Sequence, residues 1–470
     1  MKLKIMIMAL LLLVGIGSAV NRLPATEFVG DVNMNGYDVI DAKMGQSIYY
    51  VTVGPYDWCD YVTDGTADDV EIQAALDAMD ALHGGLVQLT LADYVPSNTI
   101  RVPEHCTLSG VTIPYDEHIN DHRVTRFNIT NTTDTAFIMG DGACMRNIEF
   151  YYPNQTPGLE SPVVYPATIT MERGPGWEDN YISYCLATNP YIFYNASTQH
   201  SAVVMSHVRG FPLYRGIIED EGNDVSLYTD IQFHPRWWYA GGIQESAAKN
   251  QTFKNGIAFD IRRCDWPYLT NCFAYGYNIT YSFYGTNRPT VIGCSADMSY
   301  QPVKLYNSNY ATITSGNFVQ LDRNAGTITV PAIESKLGNY NTINNNHVWA
   351  YAGGISICEG WATIVKGNHI QSFARTSSTE DPAIMILGGS NNSIVCNNII
   401  HGDARRTQRG ITIAPNSDYI VSNNIISDCN SFGILIYSGS TGFIVADNVL
   451  INAAVHDSSG DVTKVVENNI

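Results

Sequence analysis

An asparagine beside an aliphatic residue recurs every 20 to 30 residues through the C-terminal half of the chain. The beat reads Asn346-His347-Val348, Asn368-His369-Ile370, Asn397-Asn398-Ile399, Asn423-Asn424-Ile425 and Asp447-Asn448-Val449, with steps of 22, 29, 26 and 24 residues. A fixed period in this range means stacked units. Between the beats lie short β-rich runs (Ser356 to Cys358, Ile384 to Leu387, Gly410 to Ile413, Gly433 to Ile436) and almost no helical pattern. Each beat therefore reads as one coil of a β-solenoid. About fourteen coils at roughly 4.8 Å each would make a rod near 70 Å long. Earlier coils can be sketched at Asn147-Ile148, Asn271-Cys272, Gly293-Cys294 and Gly316-Asn317. From about 150 to 255 the beat is lost, which reads as coils carrying long insertions; 256 to 470 reads as regular coils.

A chain of 470 residues would ordinarily divide into two or three domains. A solenoid escapes that limit because it grows by adding coils. Charged residues are sparse, at 15%, and the formal net charge is −19. Such a surface repels nucleic acid and anionic membranes. It suits an extracellular protein, a cation, or a neutral or basic polymer; an acidic polysaccharide would need a local basic patch or bridging cations.

Lys2 and Lys4 precede an apolar run from Ile5 to Ile16 and then Gly17-Ser18-Ala19, the layout of a secretory signal cleaved after Ala19. The alternative is an uncleaved anchor, but the run falls short of the roughly 20 residues of a membrane span. No later segment is long and apolar enough to cross. The expectation is a secreted or surface protein. Seven sequons (Asn128, Asn131, Asn154, Asn195, Asn250, Asn278, Asn391) permit N-glycosylation in a host that performs it. The ten cysteines form no CxxC pair. Cys272 and Cys294 hold matching places on adjacent coils, as a disulfide or as buried thiols.

Residues 20 to 60 read as an irregular arm. Asp31-Val32-Asn33-Met34-Asn35-Gly36 fits the first half of a calcium loop, but Ala42 stands where the bidentate acid belongs. The competing reading is a tight hairpin at Asn35-Gly36. Calcium aside, no cofactor or metal ligand set is legible. A helix follows over about 68 to 82, with Asp68 as cap and Glu71 as its box partner. Ile72, Ala75, Leu76, Met79 and Leu82 form its apolar stripe, and Gly84-Gly85 ends it. Val87, Leu89 and Leu91 then alternate as a strand.

The run Asp64-Gly65-Thr66-Ala67-Asp68-Asp69, the helix Ile72-Gln73-Ala74-Ala75-Leu76, Gly84-Gly85, Val87-Gln88-Leu89 and Ile100-Arg101-Val102-Pro103 resemble one known opening. It is that of the pectate-lyase-like right-handed parallel β-helix proteins, which include rhamnogalacturonases, related glycosidases and phage tailspikes. The resemblance is specific over residues 60 to 112. It implies an all-β fold: a right-handed parallel β-helix over 61 to 470, whose first coil is covered by the capping α-helix. The segment Asp31 to Ala42 also resembles lead-ins to β-helices in phage fibres. The resemblance does not carry catalysis. The polygalacturonase motifs (a central Asp-Asp, Gly-His-Gly, Arg-Ile-Lys) and the pectate-lyase Arg-x-Pro-x-x-Arg are missing, and Asp68-Asp69 belongs to the cap helix.

Candidate chemistry concentrates between 219 and 297. Alternation in Asp230 to His234 points Ile231 and Phe233 inward and Asp230, Gln232 and His234 outward. In Ile257 to Arg262, Asp260 and Arg262 point out. About one coil apart, these groups are expected to converge, with Asp265 and Asp297 on neighbouring coils. The expectation is an acid/base pair of Asp260 and Asp265, oriented by His234 and Arg262, with Trp237, Trp238, Trp266, Asp230 and Asp297 binding sugar. The alternative is a row of solvated charges and rim aromatics. A basic cluster at His401, Asp403, Arg405, Arg406 and Arg409 could grip an acidic sugar or be a solvated loop. Repeated Asn is expected to form a hydrogen-bonded ladder, with His347 and His369 stacked in it; the alternative for the two histidines is an outward-facing metal pair. Function is then expected to be binding, with or without cleavage, of an extracellular polysaccharide. The competing class is a non-catalytic surface-layer, sheath or adhesin component, with end-to-end or lateral self-association at an uncapped far end; a viral receptor-binding spike is a third.

Overall fold

The computed structural model describes residues 33–34, 37–38, 49–114, 124–157, 161–172, 179–197, 200, 202–239, 242–320, 329–371, 381–403, 408–415, 418–460 and 465–470. The segment expected to be an export signal and most of the expected calcium loop lie outside these. Within the first unit, residues 1–49, strands Asn33–Met34 and Tyr37–Asp38 pair antiparallel, with Met34 opposite Tyr37. The Asn35-Gly36 turn itself lies outside the described residues.

The second unit, Tyr50–Ile470, is wound as coils, so winding begins about ten residues earlier than expected. Each coil crosses three parallel sheets in turn. The leading sheet has 14 strands, from Ile100–Val102 to Val455–Asp457. The middle sheet climbs from Tyr50–Gly54 to Val465–Glu467. The trailing sheet, again of 14 strands, runs from Asp93–Tyr94 to Val449–Ile451. Apart from Tyr61–Val62, which pairs with Tyr50–Gly54 eight residues before it, the strands pair with their counterparts one coil away, so backbone groups are satisfied along the rod and side chains form columns.

The columns explain the composition. One inward column of the leading sheet reads Phe137, Ile169, Tyr194, Ile217, Phe259, Tyr281, Val303, Ile333, Ile355, Ile384, Ile411, Ile434. Aromatic rings fill the earlier coils: Phe127 packs edge-on to Phe137 at 4.9 Å, and Phe259 stacks on Tyr281 at 5.1 Å. After Tyr281 this column is aliphatic. Among the buried rings sits a carboxylate, Glu219, which accepts from Ser226 and from Tyr228 Oη (2.8 Å) and lies 3.3 Å from His200 Nε2.

Asparagine turns the corner from the middle to the trailing sheet. The ladder runs Asn346, Asn368, Asn398, Asn424, Asn448, Asn469; each of the first five donates both its backbone N–H and its Nδ2 to the next residue's Oδ1, and Nδ2 donates also to a carbonyl of an adjacent coil. The first five are buried, and an unpaired buried amide would cost about 1–3 kcal/mol. The register is one residue later than the beat suggests in three coils. Asn397, Asn423 and Asp447 precede the ladder and take φ of 55°, 56° and 58°, which Asn and Asp tolerate. Earlier coils fill the ladder position with Cys185, Val208, Ile231, Cys272 and Cys294, which is why the beat fades there. All ten cysteines are thiols; Cys272 N–H donates to Cys294 Sγ (3.3 Å), and burial holds the Cys272 thiol well above its ordinary pKa.

Helix α1, Asp69–Asp80, covers the first coils with Ile72, Ala75, Leu76 and Met79 buried. The expected capping box is absent. The Asp68 carboxylate turns away and accepts from Gly65 N (2.9 Å) and Val95 N (2.7 Å), tying the helix start to the next connection. The segment expected to be long insertions is mostly regular: coils continue through Gln232–Phe233, and the insertion is a 3-10 turn, Pro235–Trp237, and helix α2, Gly242–Asn255. Among the described residues no helix is long and apolar enough to cross a membrane.

Candidate functional site

The leading sheet carries a cleft of about 570 Å³ on its outer face, floored by Ile257, Ile279 and Phe283. Its polar groups come from four successive coils, the first of which supplies Asp220. Asp260, Ser282 and Lys304 form one column, and Arg262, Tyr284 and Tyr306 the next. Both columns repeat at 22 residues, the step of the beat.

Asp260 is only 2% exposed although it faces outward. Arg262 Nε donates to its Oδ1 (2.9 Å); Arg262 Nη2 and Arg215 Nε (3.2 Å) donate to its Oδ2. The hydrogen bond to Asp260 raises the Arg262 pKa, and Asp220 does the same for Arg263, gripping it through Nε and Nη2 at 2.7 Å each. Both carboxylates are thus acceptors held by guanidinium forks. Tyr284 and Tyr306 stack on each other at 5.3 Å and 6°, so they present edges and hydroxyls to the cleft. Lys304 adds an amine to the same wall.

The other expected site residues are dispersed. Asp265 and Trp266 stand on the corner between the leading and middle sheets, outside the cleft lining, with Asp265 bridged to Asn287 of the next coil. Trp266, 40% exposed, begins a row in which the Arg288 guanidinium lies 4.9 Å from its ring and 5.5 Å from Tyr310, and Tyr310 stacks on Tyr340 at 5.0 Å. Asp230 forms the opposite corner in a left-handed conformation (φ 51°) and holds Arg209 at 2.8 Å. His234 and Asp297 belong to the trailing-sheet side. His234 Nδ1 accepts from Arg236 N (2.9 Å), its ring stacks on Tyr275 at 4.5 Å, and burial lowers its pKa to about 4. Tyr275 pairs in register with Asp297, whose pKa burial raises. Trp237 is nearly buried and Trp238, 1% exposed, lies in the core, so Trp238 offers no face to a sugar.

Convergence fails because Gln232–Phe233 and Ile257–Arg262 belong to different sheets. Strand alternation separates inside from outside; it does not say which of three sides is meant. Arg215, Asp220, Arg263, Ser282, Lys304, Tyr284 and Tyr306 belong to this site without being among the expected residues. Stepping 22 residues from Asp260 and Arg262 reaches the Ser282, Lys304, Tyr284 and Tyr306 positions. Lys249, on α2, is likewise outside the expected set; it is 4% exposed and donates to Tyr275 Oη at 2.8 Å. The run of good helix formers from Glu245 to Lys249 was its signal. His347 and His369 do stack, at 5.0 Å, outside the Asn ladder, and His401 bonds Ser427 (2.8 Å); Arg405 and Arg406 lie outside the described residues. Among the described residues no cluster of three metal-ligating side chains is present.

Residues 331–470 match the family model described as right handed beta helix region. The chain folds as a right-handed parallel β-helix. Solved structures similar to this β-helix include the mannuronan C-5 epimerase A-module of Azotobacter vinelandii (13% identity, 87% of this chain and 97% of that one, TM-score 0.41). A DFA-IIIase of Arthrobacter chlorophenolicus A6 (12%, 89% and 97%, 0.44) and tailspike protein 3 of bacteriophage CBA120 (13%, 87% and 60%, 0.46) are others. At these identities the likeness concerns the fold. Among curated proteins nothing matches the sequence.

Proposed function

We propose that this β-helix is an exported protein that binds an extracellular polysaccharide in the leading-sheet cleft. The observation that carries the reading is the cleft itself. It is of ligand size, set on a rigid sheet, and lined by carboxylate–guanidinium pairs, an amine and two phenols. Fixed forks of this kind bond adjacent sugar hydroxyls with donors and acceptors at once, and the held geometry lowers the ordering cost of binding. The same bonds argue for binding without hydrolysis, because Asp260 is committed to Arg215 and Arg262, and Asp265 is not in the cleft.

Affinity electrophoresis of the chain in neutral and acidic polysaccharides, with reducing ends and unsaturated products followed in parallel, tests this reading. Retardation by at least one polymer is expected, weakened about tenfold or more in Lys304→Ala and Tyr306→Ala. Unchanged retardation in both variants would move the site elsewhere. Product release that Asp260→Asn abolishes would replace the binding account with an enzymatic one.

A further inference from the structure

Around the corner from the cleft, a row of aromatic side chains follows the rod. Trp266, Arg288, Tyr310 and Tyr340 hold equivalent places on four successive coils, each donating its backbone N–H to a carbonyl of the next coil at 2.7 or 2.8 Å. Trp361 follows, its ring 5.6 Å from Tyr340 and tilted by 52°. The four rings are 40% to 48% exposed, and the Arg288 guanidinium lies between Trp266 and Tyr310. Folding does not ask for these side chains. Trp266, Arg288, Tyr310 and Tyr340 take φ of 55°, 56°, 55° and 58°, a left-handed backbone that costs bulky residues and suits Asn. The next two coils make the same turn with Ala362 and Asn392, at φ of 55° and 54°. The large side chains are thus kept to the coils of Asp260, Ser282 and Lys304, which build the cleft, and to those that directly follow.

The row also adjoins the cleft. Tyr284 and Tyr306, which line it, stand four residues before Arg288 and Tyr310. A cleft of about 570 Å³ is the size of a small-molecule site, so it takes only a short stretch of a polymer. The rest of a bound chain has to lie over neighbouring surface. We propose that the polysaccharide leaving the cleft turns this corner and runs along the rod over Trp266, Arg288, Tyr310, Tyr340 and Trp361. Four steps of about 4.8 Å make this track roughly 19 Å long. It presupposes the binding in the cleft proposed above. Sugar rings offer C–H faces to aromatic carbon and hydroxyls to phenols and to a guanidinium. Trp and Tyr supply apolar area with a polar tip, and their rigidity keeps the ordering cost of binding small.

Titration calorimetry of the full chain with oligosaccharides of graded length, cut from a polymer that retards it, tests the track. Affinity is expected to rise about tenfold or more once the oligosaccharide outgrows the cleft. Tyr340→Asn and Trp361→Asn alter coils beyond the cleft. Each should lower the ratio of long- to short-oligosaccharide affinity by about tenfold, whereas Lys304→Ala should weaken long and short together. Both Asn variants copy what a later coil carries at that place, Asn392 and Asn391, so both should unfold near the wild-type temperature. No gain with length, or a gain that survives both Asn variants, would overturn the track; if Lys304→Ala still weakens binding, the cleft stands without it. Binding indifferent to Lys304→Ala as well would overturn cleft and track together.

Discussion

The ladder asparagines show what single residues do in this molecule. Asn398 Nδ2 donates to Val365 O and Asn424 Oδ1, while its Oδ1 accepts from Asn368 N and Nδ2. Asn398→Ala leaves those buried partners unmet, and we expect a loss of about 2–4 kcal/mol in urea unfolding, with faster amide exchange in the adjoining corner. A second residue-scale effect concerns pH. Burial lowers the His234 pKa from 6.5 to about 4 in the folded chain. Between these values the unfolded state binds more protons, so stability is full above about pH 6.5 and falls toward pH 4, by about 2–3 kcal/mol. Asp297, raised by burial, slopes the other way. The comparison of unfolding midpoints against pH in wild type and His234→Gln therefore isolates the imidazole; the variant should be flatter across that window.

Among elements, the N-terminal cap matters most because it closes an open stack of apolar columns. Leu76 is fully buried between α1 and the first coils, and Leu76→Ala should cost about 2–5 kcal/mol by thermal or urea unfolding. This helix, the coil period and the Asn ladder were legible in the sequence because each is a local pattern: a stripe at helical spacing, a fixed step, a repeated residue. The capping box was misread because Asp68 finds non-local donors, Gly65 N and Val95 N, that no local motif announces. The candidate site was half legible. Asp260 and Arg262 do line a cleft together, but His234, Asp230 and Trp266 sit on other sides of the rod, since facing within a strand fixes neither sheet nor corner. Trp238 was misplaced for a related reason: in the connection after Phe233 no strand alternation tells buried from exposed.

At the scale of the molecule, the interior passes from columns rich in aromatic rings around Phe127, Phe150 and Phe259 to mainly aliphatic ones from Ile333 onward, where Tyr419 still stacks on Phe443. Coils touch only their neighbours along the rod, so the two stretches have separate stabilities joined by one interface. Calorimetry should give a total unfolding enthalpy larger than the van't Hoff value of its main transition. A single two-state transition would mean that coupling between coils outweighs this difference.

The unequal steps of the ladder have a consequence for how such a chain changes over generations. Asn346 to Asn368 takes 22 residues and Asn368 to Asn398 takes 30, yet both links make the same hydrogen bonds. The additional length falls between His369–Gln371 and Pro382–Ile386, where the trailing sheet hands over to the leading one. That seam absorbs added sequence without disturbing the columns. Whole coils can be duplicated or lost there as cassettes, and foreign peptides grafted into it should be displayed along one edge of a scaffold that keeps its spacing.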